Sequence, residues 1–175
     1  KYDPKGNELW TRQFGTAEAD YAYALAVDAG GNIIVAGDTE GSLSGASAGS
    51  SDAFVRKYDP KGNELWTRQF GTAEADYAYA LAVDAGGNII VAGDTEGSLS
   101  GASAGERDAF VRKYDPKGTV LWTRQFGTAE LDYANALAVD AGGNILVAGY
   151  TEGSLSGASA GKEDAFVRKY DPKGN

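Results

Sequence analysis

The sequence predicts an all-β fold of β-propeller blades, each a four-stranded antiparallel sheet, with three blades per chain and a ring closed by homo-oligomerisation. Three observations carry the prediction. The string KYDPKG starts at Lys1, Lys57, Lys113 and Lys169, a period of 56 residues. Turn sequences cut each period into four segments of strand length. Those segments differ in polarity so as to order themselves from the inside of a ring to its outside.

The 175 residues read as one propeller segment of three repeats, 1–56, 57–112 and 113–168, with an overhang at 169–175. Self-similarity of this kind outranks every other signal in a chain. The first two repeats differ only where Ser50 and Ser51 become Glu106 and Arg107. The third brings in Thr119, Val120, Leu131, Asn135, Leu146 and Tyr150. So little drift implies recent duplication or engineering from one template. The absence of Met, Cys and His favours engineering, although copying any template that lacked them gives the same result.

Taken in chain order, the elements follow from the turns. Asp59-Pro60-Lys61-Gly62-Asn63 places Pro where φ near −65° is wanted and Gly where a left-handed residue is needed, a type I turn closed by a bulge. Asp84-Ala85-Gly86-Gly87-Asn88 repeats the logic. Between such turns lie four strands, A to D: Tyr77 to Val83, Ile89 to Thr95, Ala109 to Tyr114 and Leu121 to Phe126. Strand A alternates Tyr77, Tyr79, Leu81 and Val83 with alanines, so one of its faces is nearly bare and suits a crowded ring axis. Strand B is apolar on both faces, as a strand sandwiched between neighbouring sheets should be. Strands C and D mix charge with aromatics (Phe110, Arg112, Tyr114; Trp122, Arg124, Phe126) and are expected to be outer and half wet. The blades fall at about 20–70, 76–126 and 132–171, the last completed by 8–14 of another chain. A parallel β-helix is the alternative, but its coils do not need two hairpin turns each.

The segments DAFVRKYDPKGNELWTRQFGT and DYAYALAVDAGGNIIVAGDTEGSL together span most of each repeat. In these residues the chain resembles the SBBP repeats, bacterial propeller repeats named for a seven-bladed ring. The resemblance implies a propeller fold and a scaffold module, with a bacterial cell-surface or secreted setting. It implies little about chemistry. The chain departs from the family pattern in blade number and in the near-identity of its repeats.

Composition removes several function classes. Without Cys there are no disulfides, thiolate nucleophiles or Cys-ligated zinc; without His the commonest general base and transition-metal ligand are missing. We therefore expect neither an enzyme nor a cofactor. Acids outnumber bases 25 to 16, a net charge of −9, which disfavours nucleic acid and anionic lipid as partners. No run approaches the roughly 18 apolar residues of a membrane span, and no cationic-then-apolar leader stands at the start. Lys1 opens the sequence without Met, which is compatible with a processed leader or a trimmed end.

The expected partner is a second copy. Blades bury both faces against neighbours, so an arc of three leaves two apolar faces and two strand edges open. A D-type strand at Leu9, Trp10, Thr11, Arg12 and Phe14 opens the chain, and a C-type strand at Ala165, Phe166, Val167, Arg168 and Tyr170 ends it. Pairing these between two chains gives a six-bladed homodimer; a homotrimer of nine blades is the alternative and exceeds the usual range of about four to eight. KYDPKGN occurs at both 1–7 and 169–175, so Lys1 to Asp3 is expected to be displaced in such a joint.

Candidate binding residues lie in the D-to-A and B-to-C connections, which share one face of a propeller. Glu18, Asp20, Asp38, Glu40 and Asp52 in the first repeat match Glu74, Asp76, Asp94, Glu96 and Asp108 in the second. Carboxylates close together suit Ca²⁺ or a cationic ligand, but no segment has EF-hand spacing, so a solvated face without metal is the plainer reading. Gly97 to Gly105 is a surface loop anchored by Leu99, and no base stands near its serines. DAGGN is no phosphate loop, because neither a helix nor a Lys-Ser/Thr pair follows it. Trp10, Trp66 and Trp122 suit either sugar stacking, as in lectin-like propellers, or packing between blades. The favoured function is structural and self-associating; the alternative is a ligand-binding propeller, lectin-like or cation-binding.

Overall fold

A computed structural model describes residues 1–175 as eleven β-strands without a helix. β1 (Asp20–Val27), β2 (Ile33–Thr39), β3 (Asp52–Tyr58) and β4 (Glu64–Phe70) form one antiparallel sheet in chain order. β5 (Asp76–Val83), β6 (Ile89–Thr95), β7 (Asp108–Tyr114) and β8 (Val120–Phe126) form a second. β9 (Asp132–Val139), β10 (Ile145–Thr151) and β11 (Asp164–Tyr170) form a three-stranded third.

The hairpins close as their side chains dictate. Asp59 Oδ1 accepts from the N–H groups of Lys61 and Asn63, and Gly62 takes φ +81°. Asp84 does the same for Gly86 and Asn88. One feature of strand A escaped the alternation argument: Tyr23, Tyr79 and Asn135 are each the extra residue of a β-bulge, which turns the strand about its own axis. Opposite the bulge sits Gly37, Gly93 or Gly149; a Cβ on Gly93 would lie 1.8 Å from the Tyr77 carbonyl oxygen, so no other residue fits.

The core lies between sheets rather than within them. Ile34, Ala36, Ala53 and Val55 of the first sheet meet Ala78, Ile89, Val91, Phe110 and Tyr114 of the second. Ile90, Ala92, Ala109 and Val111 of the second meet Ala134, Ile145, Val147 and Tyr170 of the third. β6 thus sends Ile89 and Val91 one way and Ile90 and Ala92 the other, which is why it is apolar on both faces. Parallel bridges between Ser51 and Ala75 and between Arg107 and Leu131 tie successive sheets together.

Strand C corrects the expectation of a half-wet outer strand. All of β3 is buried, Arg56 and Lys57 included. Arg56 stacks on the Phe14 ring at 4.1 Å and donates to Thr67 Oγ1, while Lys57 reaches Asp28 at 2.9 Å, so both charges are matched where they are buried. Strand D is the half-wet one.

Candidate functional site

Each blade junction is built from one strand D and the turn of the next sheet. Trp66 Nε1 donates to the Pro116 carbonyl at 3.3 Å, and Arg68 Nε donates to the Gly118 carbonyl at 2.9 Å. Phe70 meets Phe110 edge to face with ring centroids 5.8 Å apart, a spacing at which aromatic quadrupoles attract. Trp122, Arg124 and Phe126 repeat the clasp on the third sheet. The half-buried tryptophans are thus engaged in packing between blades.

Leu9, Trp10, Thr11, Arg12 and Phe14 adopt the same clasp on the first sheet. Trp10 donates to the Pro60 carbonyl, Arg12 to the Gly62 carbonyl, and Phe14 meets Phe54 edge to face. Their edge is taken by the start of the same chain: Tyr2 bridges Glu8, Leu9 N–H donates to the Lys1 carbonyl and the Lys1 amino group donates to the Trp10 carbonyl, the last two at 2.8 Å. Within one chain Lys1 and Tyr2 are thus seated rather than displaced, and Leu9 is exposed. Beside them an apolar cleft opens, lined by Ala22, Leu25, Val27, Ile33, Val35 and Tyr58. At the other end of the molecule Leu146, Ala148 and Val167 line a second apolar opening. Val167 is 74% exposed, whereas its counterparts Val55 and Val111 are fully buried. Within one chain, then, the segments 9–14 and 165–170 sit at opposite ends and do not meet.

The two openings match. Ala22, Ile33, Val35 and Tyr58 are the repeat equivalents of the second-sheet half of the first junction, Ala78, Ile89, Val91 and Tyr114. Leu146, Ala148 and Val167 are the equivalents of its first-sheet half, Ile34, Ala36 and Val55.

The acidic residues divide into two groups. Glu18, Glu40 and Glu74 face solvent and Glu96 is half-buried. Asp38, Asp52, Asp76, Asp94 and Asp108 are buried, and Asp20 is partly so. The reason is turn and strand-end hydrogen bonding: Asp76 Oδ2 accepts from Thr72 N and Oγ1, Asp52 Oδ2 from Ala48 N and Gln69 Nε2, and Asp20 bonds Thr16 and Thr39. No group of three or more acidic side chains is placed to hold a metal ion. The open face is one of scattered glutamates rather than a carboxylate cluster.

Burial sets the electrostatics. It raises Asp94 to about 7 against the pull of Arg107, whose Nη1 donates to Asp94 Oδ2 at 2.9 Å. Burial, aided by the nearby Asp52, also raises Asp76. Burial pushes Asp28 up as well, but bonds from Asn32 and Lys57 outweigh it and hold that carboxyl at about 2. Arg107 also bonds Glu96 and lies over the rings of Tyr77 and Tyr133 at 5.2 and 5.8 Å. That centre went unread in the sequence, although the Ser51-to-Arg107 exchange, one of only two changes between the first repeats, was its signal.

Sheets of this order, packed face to face with strand A innermost, are propeller-type blades. The profile of the SBBP beta-propeller repeat matches residues 9–43, 65–99 and 121–155, and the chain belongs to that family. It is 34% identical over 164 residues to the regulatory protein FlaEY of Caulobacter vibrioides, covering 84% of this chain and 17% of that protein. An uncharacterized WD repeat-containing protein of Acanthamoeba polyphaga mimivirus is 25% identical over 183 residues, covering 87% of this chain and 12% of its own length. The chain thus spans less than a fifth of either relative. Among solved structures, a Bacteroides caccae protein of unknown function aligns at 21% identity and a TM-score of 0.49, over 83% of this chain and 43% of that one.

Proposed function

We propose that the chain is a structural, non-catalytic propeller segment whose two open faces are covered by a second copy of itself. The carrying observation is that the two openings are the two halves of one junction, already seen assembled twice inside the chain. Strand β11 of one chain then displaces Lys1 and Tyr2 of another and pairs with its 9–14 in the register that β3 keeps with β4, where Ala53 faces Phe70, Val55 faces Arg68 and Arg56 faces Thr67. By that register Ala165 faces Phe14, Val167 faces Arg12 and Arg168 faces Thr11. Two such joints close six blades, and three copies would close nine. Each joint buries on the order of 1,600 Å² or more. The regulatory name of the Caulobacter relative suits a module that binds rather than transforms.

Sedimentation velocity across the micromolar range tests this, with twice 18.2 kDa expected. A particle of 18.2 kDa at every concentration, its β11 amides protected from exchange, overturns it. Because the chain has no Cys, Thr11→Cys with Arg168→Cys should form a disulfide between chains on oxidation and report the register directly.

A further inference from the structure

The two internal junctions carry the same shell of acids and rings around different centres. In the second, the Arg107 guanidinium bridges Asp94 and Glu96 and lies between Tyr77 and Tyr133. In the first, repeat equivalence puts Asp38, Glu40, Tyr21 and Tyr77 in those four places, but the central residue is Ser51. Its hydroxyl donates to Asp38 Oδ2 at 2.5 Å. Asp38 is 2% exposed; its Oδ1 has no hydrogen-bond partner, as Asp94 Oδ1 has none beside Arg107. The acceptor that differs between the junctions is therefore Oδ2, held by a guanidinium in one and by a hydroxyl in the other. We propose that the first junction is a binding site for a guanidinium group, seated between Asp38 and Glu40 and against the rings of Tyr21 and Tyr77.

The ligand class follows from the shape of the shell. In the second junction two carboxylates from one strand end and two flanking rings hold the Arg107 guanidinium in a slot, and the first junction repeats those four residues. A guanidinium fills such a slot with paired N–H bonds in its plane and a cation–π contact on its face. An ammonium is a compact, strongly hydrated charge that makes only one of those contacts well. The seat is reachable from solvent: Glu40 is exposed, Tyr21 is 52% exposed, and the Arg107 side chain keeps 22% exposure in the corresponding place. An entering cation neutralises a buried carboxylate that a serine hydroxyl only solvates, and that difference drives binding. Tyr79 leans on Tyr23 at 5.4 Å beside the seat, where the second junction has Asn135 instead. This adds one aromatic wall to the first site.

The seat lies in a junction inside one chain and does not depend on the second copy. Titration with methylguanidinium at millimolar concentrations, followed by calorimetry and by tyrosine ring resonances, tests it, with methylammonium as the competitor cation and N-acetylarginine amide as the peptide-like form. We expect one site per chain with Kd of about a millimolar and at least tenfold preference over methylammonium. Ser51→Arg should abolish the site by filling it, Glu40→Gln should weaken it, and Arg107→Ser should raise the stoichiometry from one to two. Tighter binding of N-acetylarginine amide than of methylguanidinium would assign the site to arginine side chains, and the reverse to small guanidinium compounds. No saturable binding to the parent chain, or a stoichiometry untouched by Ser51→Arg, overturns the proposal.

Discussion

The middle and last sheets hold almost the same sequence in two different environments. DAFVRKY is buried along nearly all of β7, with the second sheet covered on both sides. In β11 the same seven residues alternate between half-buried and exposed until Tyr170. Lys113 and Asp84 form a buried pair at 2.9 Å; Lys169 and Asp140 form the same pair at 2.8 Å in the open. Burial here belongs to the neighbour, not to the strand, and one local sequence must be stable in both settings.

Charging the shared valine should separate the two sheets most sharply. Val111→Asp puts an unpaired carboxylate at a fully buried site and should cost at least about 4 kcal/mol, read as loss of the cooperative melt. Val167→Asp should leave the melt of a dilute sample unchanged and abolish association instead. If Val167→Asp also unfolds the chain, the open face contributes to folding and the contrast fails. Next, Lys113→Met strands Asp84 in the junction and should cost about 3 kcal/mol, while Lys169→Met should have no measurable effect on the melting temperature.

Arg107→Ala tests the second junction at about 2 kcal/mol in alkaline solution, since it leaves Asp94 buried without its cation. Asp94 in the fold binds its proton more tightly than in the unfolded chain, so its contribution is most favourable below about pH 4 and is lost as pH rises towards 7. The cost of Arg107→Ala should therefore shrink between pH 8 and pH 5 in parallel denaturant titrations. The smallest expected effect has the opposite sign. Asp28, held at about 2, and Asp84, also depressed, contribute stability above about pH 4 that disappears as pH falls towards 2. Lys57→Met should blunt the Asp28 part of that acid limb.

The sequence made the architecture readable because turn chemistry and polarity agreed in every repeat. Strand B was expected at Ile89 to Thr95 and forms over those residues; strand A was expected from Tyr77 and begins one residue earlier. What stayed hidden depends on contacts across a junction. The bulge at Tyr79 has no period of its own, being set by the close approach of Tyr77 to Gly93. The inward turn of Asp38, Asp76 and Asp94 was missed because a carboxylate before or within a turn looks the same in sequence whether it meets water or an N–H group. Arg56 and Lys57 in strand C looked solvent-facing until Phe14 and Asp28 of other segments were seen to cover them.

Placing the apolar clusters between sheets has a topological consequence. An open fan of n leaves has n − 1 seams, whereas a closed one has n, so closure gains a whole seam without a single further residue to order. Fans of this kind should resist extension by one leaf only weakly, yet hold the closed circle far more firmly than any intermediate length.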